Sequence, residues 1–387
     1  MRTLDQLDLQ GKRVFIRVDF NVPIHDGVAG DDTRIRAALP TIDFAREHGA
    51  RVVLASHLGR PKGKPSPQLS LAPVATRLGE LIGAKVRLAP DCVGEEVEKL
   101  VAGLAPGEVL LLENLRFHSE EEKNDPGFAG QLARLAEVYV NDAFGAAHRA
   151  HASTEGMAHL VKERAAGFLL QKEVEYLGKV LSNPQRPVIA ILGGAKVSDK
   201  SKVVDHLIEK VDSILIGGAM AYTFLRAQGF KTGKSLVEED MIQTARAALD
   251  KALKLGVRML LPIDHVVATD PDGEAQVVRE IADDRMGLDI GPESRRLFAE
   301  EIARGKTIFW NGPVGLFEKP PFRAGTMAIA EALAKSGALT IVGGGDSIAA
   351  LSESGEAEKI SHISTGGGAS LEFIEGAKLP GVEALSA

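Results

Sequence analysis

The chain has 387 residues, which is long enough for two domains that each enclose a hydrophobic core. Hydrophobic residues make up 44% and charged residues 26% of the sequence, proportions that exclude a disordered or fibrous protein. The 46 lysines and arginines are outnumbered by 53 aspartates and glutamates, and the net charge of −7 argues against a nucleic-acid-binding protein. Any phosphate-binding site must therefore be a local cluster of basic groups.

The N-terminal segment, residues 1–12, has no apolar run of the kind that secretory signal peptides carry. The longest apolar runs elsewhere, such as Val188–Leu192, are far too short to cross a bilayer. Cys92 is the single cysteine, which excludes an internal disulfide and a metal cage built from several cysteines. These features predict a cytoplasmic protein that is neither exported nor embedded in a membrane.

Short runs of valine, isoleucine and leucine alternate with longer segments of helical periodicity. This alternation predicts doubly wound, mainly parallel sheets covered by helices on both faces, an α/β fold. The predicted strands form two groups, one before residue 160 and one after residue 185. They are Val14–Val18, Val52–Ala55, Val109–Leu112 and Val138–Val140, then Val188–Leu192, Ile214–Ile216, Met259–Leu261, Thr307–Trp310 and Thr340–Val342.

Residues 168–182, between the two groups of strands, have the apolar spacing of an amphipathic helix. We expect this helix to connect two Rossmann-like domains with a cleft between them. The predicted N-terminal domain is 1–167, and the predicted C-terminal domain is 183–370.

Ligands of open parallel sheets bind beyond the carboxyl ends of the strands, so the residues that follow each predicted strand are candidate site residues. In the first half these segments carry arginines and histidines, and Arg34 opens the first predicted helix. Guanidinium groups bind phosphate and carboxylate well, so the pattern predicts a basic cup for a small anion. His148 and His151 could be a metal pair, but without a third ligand in that stretch, hydrogen bonding is favoured. The segments are Asp19–Pro23, Ser56–Pro61, Glu113–His118 and Asn141–His151.

In the second half, the segments after the predicted strands are rich in glycine, and each is expected to lead into a helix. Glycine lets a ligand approach the backbone closely, and helix N-termini favour phosphate. Five such clusters are more than tight turns alone would require. They are Gly193–Lys200, Gly217–Ala219, Asn311–Gly315, Gly343–Ser347 and Gly366–Gly368.

Familiar nucleotide-binding motifs are incomplete or missing. Gly229–Ser235 resembles a Walker A loop but has three residues between its glycines instead of four, so a surface turn is favoured. The first predicted strand leads into DFNVP and not into a dinucleotide fingerprint, which disfavours a dehydrogenase. The protein-kinase set of segments is absent as well. An enzyme on another scaffold and a non-catalytic binder of a small anion both remain open on these patterns.

Eight segments, in order and over nearly the whole chain, resemble signatures of the phosphoglycerate kinase family. They are RVDFNVP (Arg17–Pro23), ASHLGRP (Ala55–Pro61), ENLRFH (Glu113–His118), AHRAH (Ala147–His151), GGAKVSDK (Gly193–Lys200), WNGPVGLFE (Trp310–Glu318), GGGDS (Gly343–Ser347) and STGGGA (Ser364–Ala369). The resemblance implies reversible phosphoryl transfer from 1,3-bisphosphoglycerate to ADP, giving 3-phosphoglycerate and ATP in glycolysis. It also implies a monomer that closes about a hinge, without a nucleic-acid or membrane partner.

The resemblance implies that the N-terminal domain binds the phosphoglycerate and that residues 371–387 return to this domain. Arg34 is expected to hold the carboxyl and transferred phosphoryl oxygens as well as to bind substrate. The expected substrate contacts are Asp19, Asn21, Arg34, His57, Leu58, Gly59, Arg60, Arg116 and Arg149.

The same resemblance implies that the C-terminal domain binds Mg²⁺ with ADP or ATP. Lys200 is expected to bind phosphate, Glu318 the ribose hydroxyls and Asp346 the Mg²⁺ ion. Lys196 and the amides of Gly366 and Gly367 are expected to meet the transferred phosphoryl group. The other expected nucleotide contacts are Gly217, Asn311, Pro313, Gly315, Gly344, Gly345 and Ser347.

Overall fold

Two six-stranded parallel sheets organise the described part of the chain, residues 1–386 of a computed structural model. The chain divides into unit 1, which is Met1–Glu175 together with the segment from Lys378 onward, and unit 2, which is Tyr176–Ala377. The predicted fold class of two α/β domains with mainly parallel sheets is therefore confirmed. No helix within residues 1–386 is long and apolar enough to cross a membrane.

In unit 1 the parallel sheet contains all four strands predicted for the first half. In chain order the strands of unit 1 are β1 (Arg13–Arg17), β2 (Ile24–His25), β3 (Val28–Ala29), β4 (Arg51–Ala55), β5 (Val86–Leu88), β6 (Val109–Leu111), β7 (Val138–Asn141) and β8 (Glu163–Ala166). The sheet order is β5-β6-β4-β1-β7-β8, and β2 and β3 form a separate antiparallel hairpin. The direction in which successive strands are added to the sheet thus reverses between β1 and β7. The crevice for a ligand is expected at the carboxyl ends of these two strands.

Helices cover this sheet through apolar faces. Ile35 and Ile42 of the first helix and Leu78 of the second pack with strand residues Ile16 and Leu54 in one fully buried core. The helices are α1 (Thr33–Glu47), α2 (Ala72–Ile82), α3 (Glu95–Ala102), α4 (Ser119–Glu122) and α5 (Pro126–Ala133).

Helix α6, Phe168–Leu181, confirms the helix predicted over residues 168–182, and the division between the two units falls within it. Its first turn is held by Asp142, a fully buried residue directly after β7. One carboxylate oxygen, Oδ1, accepts hydrogen bonds from the amides of Leu169 at 2.9 Å and Leu170 at 3.2 Å. Burial raises the pKa of Asp142 to about 6. The start of α6 is thereby fixed to the carboxyl end of the sheet.

In unit 2 the parallel sheet has the order β11-β10-β9-β15-β16-β17, and β13-β12-β14 form a small antiparallel sheet. The strands are β9 (Val188–Leu192), β10 (Ser213–Ile216), β11 (Arg258–Leu260), β12 (His265–Ala268), β13 (Gln276–Val278), β14 (Met286–Ile290), β15 (Thr307–Asn311), β16 (Leu339–Gly343) and β17 (His362–Ile363). The helices are α7 (Ser201–Ile208), α8 (Met220–Ala227), α9 (Ile242–Leu255), α10 (Pro292–Ile302), α11 (Ala324–Lys335), α12 (Gly345–Ser354) and α13 (Gly368–Ile374). The reversal between β9 and β15 marks the expected ligand crevice of unit 2.

The last helix, α14 (Pro380–Glu383), packs within unit 1. The side-chain amide of Asn141 donates to the Gly381 carbonyl at 3.2 Å, and the Gly381 amide donates to the Ala147 carbonyl at 2.9 Å. The C-terminal segment from Lys378 onward is therefore bonded to the carboxyl end of β7. Ala387, the last residue of the segment expected to return to the first domain, lies outside the described residues.

Candidate functional site

The candidate site of unit 1 is built around Arg17, the fully buried last residue of β1. Its Nε donates to Ser153 Oγ at 2.7 Å, its Nη1 donates to the Val18 carbonyl, and its Nη2 lies 3.2 Å from His57 Nδ1. Ser153 Oγ in turn donates to Glu121 Oε1 at 2.5 Å. This network fixes the imidazole of His57 at the carboxyl end of β4.

Electrostatics identify the surroundings of His57 as strongly positive. Burial lowers the pKa of His57 well below its usual range, and the charges of Arg17, Arg116 and Arg34 lower it further. The pKa of His151 falls to about 3 for the same reasons, burial first and arginine charges second. Both imidazoles are therefore neutral near pH 7, while the surrounding guanidinium groups stay charged. We call Arg17, Arg34, His57 and Arg116 the basic cup.

Asn114, in the loop that follows β6, orients the backbone at Leu58 and Gly59. Its Oδ1 accepts from the Leu58 amide at 3.1 Å and its Nδ2 donates to the Leu58 carbonyl at 2.7 Å. Its Oδ1 also accepts from the Arg116 amide at 3.1 Å, and Arg116 Nη1 donates to the Gly59 carbonyl at 2.9 Å. Two strand-end loops are thereby locked together, and the Arg116 side chain, only 7% exposed, is held between them.

Arg34, in the first turn of α1, is positioned by Asp19. Its Nη1 donates to Asp19 Oδ2 at 2.9 Å, while the other oxygen of Asp19 accepts from the Asn21 amide at 3.2 Å. Asn21 Oδ1 accepts from the Gly59 amide at 2.9 Å. Part of the Arg34 guanidinium stays exposed, so it can meet an anion that enters the basic cup.

Two of the predicted substrate residues are less integrated. Arg60 is exposed and makes no hydrogen bond or ion pair with another described residue. Arg149 is also exposed, and its Nε contacts His148 Nε2 at 3.1 Å. The structure does not support the alternative of a metal site at His148 and His151. Within residues 1–386, the three potential metal ligands that lie close together are Asp91, Cys92 and His118.

In unit 2 the backbone forms the candidate site. Gly193 follows β9 and Gly312 follows β15, and the two glycines pack against each other's chain segments. A Cβ on Gly193 would lie 2.0 Å from the Pro313 carbonyl oxygen, and one on Gly312 would lie 2.2 Å from the Gly193 carbonyl oxygen. Gly217 is similarly close to Val314, with 2.5 Å to its Cβ. Only glycine fits, so the three strand-end loops form one closely packed backbone surface.

Lys200 and Asn311 place polar groups on this surface. Lys200 Nζ donates to Asn311 Oδ1, and burial lowers the pKa of Lys200 to about 8 despite the opposing charges of Asp199 and Asp346. Asn311 Nδ2 is buried without a hydrogen-bond partner within the described chain. A buried donor of this kind normally has a partner, so an oxygen-rich ligand beside Asn311 fits the site.

The start of helix α12 completes this surface, which we call the glycine cradle (Gly193, Gly217, Lys200, Asn311, Gly312 and Gly344–Ser347). Gly344 precedes the helix with φ +90°, and Ser347 Oγ accepts from the Gly312 amide at 2.6 Å. Asp346, in the first turn, is exposed and has no hydrogen-bond or ion-pair partner among residues 1–386. Its carboxylate is thus available to a ligand.

Other predicted nucleotide and catalytic residues lie outside these bonded clusters. Lys196 and Glu318 are exposed and make no hydrogen bond with another described residue. Against the effect of burial, hydrogen bonds from Ser198 and, to a smaller extent, the charge of Lys196 lower the pKa of Glu238. The amide of Gly366 donates to Ser364 Oγ at 3.2 Å. Gly367 has φ +54° and directly precedes α13. One expectation about local structure was wrong: Asn311–Gly315 does not lead directly into a helix, since α11 begins only at Ala324.

Gly315 lies instead against Asp289, a 2% exposed carboxyl group on β14. A Cβ on Gly315 would be 2.2 Å from Asp289 Oδ1. The two carboxyl oxygens accept from the amides of Ile290 at 2.8 Å and Gly325 at 2.7 Å, and burial raises the pKa of Asp289 to about 7. Asp289 therefore packs against Gly315 and bonds the first turn of α11.

Sequence reasoning did not assign Arg17, Asn114, Ser153 or Asp289 to the site. Arg17 and Asn114 stand inside segments that were singled out, and a charged residue at the end of a predicted buried strand was a usable signal. Ser153 and Asp289 carry no such signal, since nothing local shows that they face the sites.

The comparisons with known proteins agree over the whole chain. A family model described as phosphoglycerate kinase matches residues 4–377. Curated phosphoglycerate kinases of Anaeromyxobacter dehalogenans (strain 2CP-C) and Moorella thermoacetica are 61% and 60% identical, over 99% of this chain and 99% and 98% of theirs. The solved structure of phosphoglycerate kinase from Coxiella burnetii has a TM-score of 0.93 at 43% identity, covering 99% of this chain and 98% of that one. The Pyrococcus horikoshii OT3 enzyme gives a TM-score of 0.83 at 34% identity, covering 100% and 98%.

Proposed function

The chain belongs to the phosphoglycerate kinase family, and we propose that it transfers a phosphoryl group reversibly from 1,3-bisphosphoglycerate to ADP, giving 3-phosphoglycerate and ATP. The observation that carries our assignment of residues is the basic cup, in which the charges of three arginines act on the neutral His57 at the strand ends of unit 1. We propose that the enzyme works as a cytoplasmic monomer in glycolysis.

The basic cup is the proposed phosphoglycerate site. Arg34 and Arg116 can donate to the phosphate and carboxyl oxygens of the substrate, and neutral His57 can add a hydrogen bond without an additional charge. Asp19 supports this role, because its ion pair holds Arg34 in place before the substrate arrives. Arg60 and Arg149, which are exposed, are the proposed outer contacts.

The glycine cradle is the proposed nucleotide site. Its packed backbone lets phosphates approach main-chain amides closely, and Lys200 adds a positive charge. Pro313 and Gly315 would shape the pocket for adenosine, and Glu318, an exposed carboxylate, would accept from the ribose hydroxyls.

Asp346 fits a Mg²⁺ ion, because it is an exposed carboxylate in the first turn of α12 without a partner among the described residues. When bound with ADP or ATP, the ion supplies positive charge that offsets the charge of the phosphates.

The chemistry needs little acid–base assistance, since a carboxylate is a good leaving group and the β-phosphate of ADP is already ionised. The chain's contribution is therefore positioning and charge stabilisation. Arg34 would hold the oxygens of the glycerate, and Lys196 with the amides of Gly366 and Gly367 would follow the moving phosphoryl group. Because these groups belong to different units, we propose that the reaction requires hinge closure, with α6 and residues 364–369 as the hinge elements.

An assay of ATP formation from 1,3-bisphosphoglycerate and ADP tests the proposed reaction directly. Product formation that depends on both substrates would separate a kinase from a non-catalytic anion binder. If the purified chain binds 3-phosphoglycerate but makes no ATP, the proposed reaction is wrong.

Lys196→Ala tests the proposed catalytic role of this exposed lysine. We expect kcat to fall more than tenfold, about 1.4 kcal/mol in the barrier, with a smaller change in the KM for ADP. Lys202→Ala, which removes another exposed lysine a few residues away, is the matched control and should leave kcat unchanged. A loss of less than tenfold would remove Lys196 from the mechanism without affecting the assignment of the reaction.

A further inference from the structure

A cavity of about 570 Å³ lies in unit 2 beside the edge strand β11. Its walls come from the end of α8 and the segment after it, from β11 and the residues that follow, from the start of β12 and from the residues that follow β13. Its volume is in the range of small-molecule pockets. None of the residues of the glycine cradle lines it, so the proposed phosphoryl transfer does not account for it.

The walls of the cavity are mainly apolar. Leu225, Leu261 and Pro262 are buried and line the cavity. Phe230 and Ile263 also line it, and they leave 58% and 50% of their surfaces exposed. Large apolar side chains exposed around a concave apolar surface are typical of a binding site. The cavity therefore favours a ligand with an apolar body.

His265 is the buried polar side chain of this cavity. It is 5% exposed, its ring centroid lies 5.5 Å from that of Tyr222, and its side chain makes no hydrogen bond with any residue of 1–386. Its Nδ1 is inaccessible and has no hydrogen-bond partner among these residues, so Nε2 is the ring nitrogen that a ligand in the cavity can reach. Burial lowers the pKa of His265 to about 4, so the ring is neutral near pH 7 and one of its nitrogens is a hydrogen-bond acceptor. Buried polar groups are normally paired, which makes a donor on the ligand favourable.

The charged groups at the cavity balance one another. Lys231 and Glu280 have opposite charges, and Arg279 Nη2 donates to both carboxylate oxygens of Glu293, at 2.7 and 2.9 Å. With Arg279 paired to Glu293, the cavity keeps one charge of each sign, Lys231 and Glu280, and these offset each other. An uncharged ligand also avoids the desolvation cost of bringing an ion against apolar walls.

We propose that this cavity binds an uncharged, mainly aromatic small molecule that donates one N–H or O–H hydrogen bond to His265. Binding is independent of the nucleotide, because the cavity and the glycine cradle share no residue. Helix α8 begins shortly after Gly217, and its C-terminal end lines the cavity.

The test uses the whole chain and the fluorescent probe N-phenyl-1-naphthylamine, which is uncharged and aromatic and has one N–H group. We expect saturable binding at one site, unchanged by saturating MgADP. The sulfonated analogue 8-anilinonaphthalene-1-sulfonate should bind at least tenfold more weakly, because its sulfonate would lose hydration against the apolar walls while Glu280 offsets the charge of Lys231. Displacement by MgADP, or tighter binding of the sulfonated probe, would overturn the proposal.

Three variants locate the probe. Met259→Trp fills the cavity from a partly exposed position and should weaken probe binding at least tenfold, whereas Leu253→Trp adds the same ring to a residue that is 81% exposed and does not line the cavity. His265→Phe keeps an aromatic ring and removes both nitrogens, so we expect about fivefold weaker binding and an unchanged KM for ADP. Equal affinity of wild type, Met259→Trp and His265→Phe for the probe would contradict the proposed site. If Met259→Trp does not fold, the affinity of His265→Phe alone decides.

Discussion

The basic cup of unit 1 and the glycine cradle of unit 2 are both suited to anions, but they are built from different parts of the polypeptide. In the cup, buried side chains such as Arg17 and Arg116 hold the strand-end loops in place. In the cradle, the backbone of Gly193 and Gly312 forms the surface, and the side chain of Asp346 projects into solvent. The difference implies that the folded shape of the binding surface depends on buried side chains in unit 1 and on closely packed glycines in unit 2.

The largest effect is expected from Gly193→Ala, which tests whether the cradle depends on backbone packing. The added methyl group would lie 2.0 Å from a main-chain oxygen that cannot rotate away, so we expect loss of the native fold of unit 2. Thermal unfolding followed by circular dichroism measures this. Gly178→Ala, on helix α6 with no atom within 4 Å of the new methyl group, is the matched control and should be neutral or stabilising by about 0.5–1 kcal/mol. Equal stability of the two variants would contradict the account of the cradle.

Arg17→Met tests the coupling of folding to side chains in unit 1. Removing one partner of a buried charged network leaves Glu121 without its counter-charge, and we expect a loss of roughly 3–5 kcal/mol in the free energy of unfolding. Denaturant unfolding gives this value, and the double variant with Glu121→Gln should recover about 1–3 kcal/mol.

The corresponding change in the cradle, Asp346→Asn, should stay within about 0.5 kcal/mol of wild type, since this carboxylate is exposed. If Asp346→Asn is as destabilising as Arg17→Met, the proposed difference between the cup and the cradle is contradicted.

A smaller effect on activity is expected when Lys200 loses its proton at raised pH. Its pKa is lowered to about 8, so it is protonated below that pH and loses its charge, which we propose binds phosphate, as the pH rises above it. The kcat/KM for ADP should therefore fall about tenfold per pH unit above pH 8. The decline in kcat should begin at higher pH, because bound phosphates favour the protonated lysine. Lys200→Arg should remove the decline in kcat/KM, and a decline that persists in this variant would assign it to another group.

Much of the fold could be predicted from the sequence, because buried parallel strands leave continuous runs of β-branched and apolar residues. Every predicted strand is present with its ends shifted by at most one residue. The strands β5, β8 and β17 of the parallel sheets were missed because Val86–Leu88 is interrupted by an arginine, Glu163–Ala166 is half polar and His362–Ile363 is only two residues long. The antiparallel sheet β13-β12-β14 was missed because its short strands have no continuous apolar pattern.

The candidate sites were predictable where they rest on one segment and not where they rest on contacts between distant segments. The predicted pairing of arginines with strand ends needed only local sequence, and Arg34 and Arg116 lie where expected. The links from Arg17 to Ser153 and from Gly315 to Asp289 join residues far apart in the chain. Such contacts depend on how the strands are ordered in the sheet, which periodicity does not reveal.

We propose that the phosphoglycerate and the nucleotide bind to different units, and isothermal titration of Arg34→Met with each ligand tests this division. Arg34 belongs to the cup in unit 1 and the cradle residues belong to unit 2, so 3-phosphoglycerate should bind at least tenfold more weakly while the Kd for MgADP stays unchanged. Unchanged 3-phosphoglycerate binding, or an equal loss of affinity for both ligands, would contradict the division.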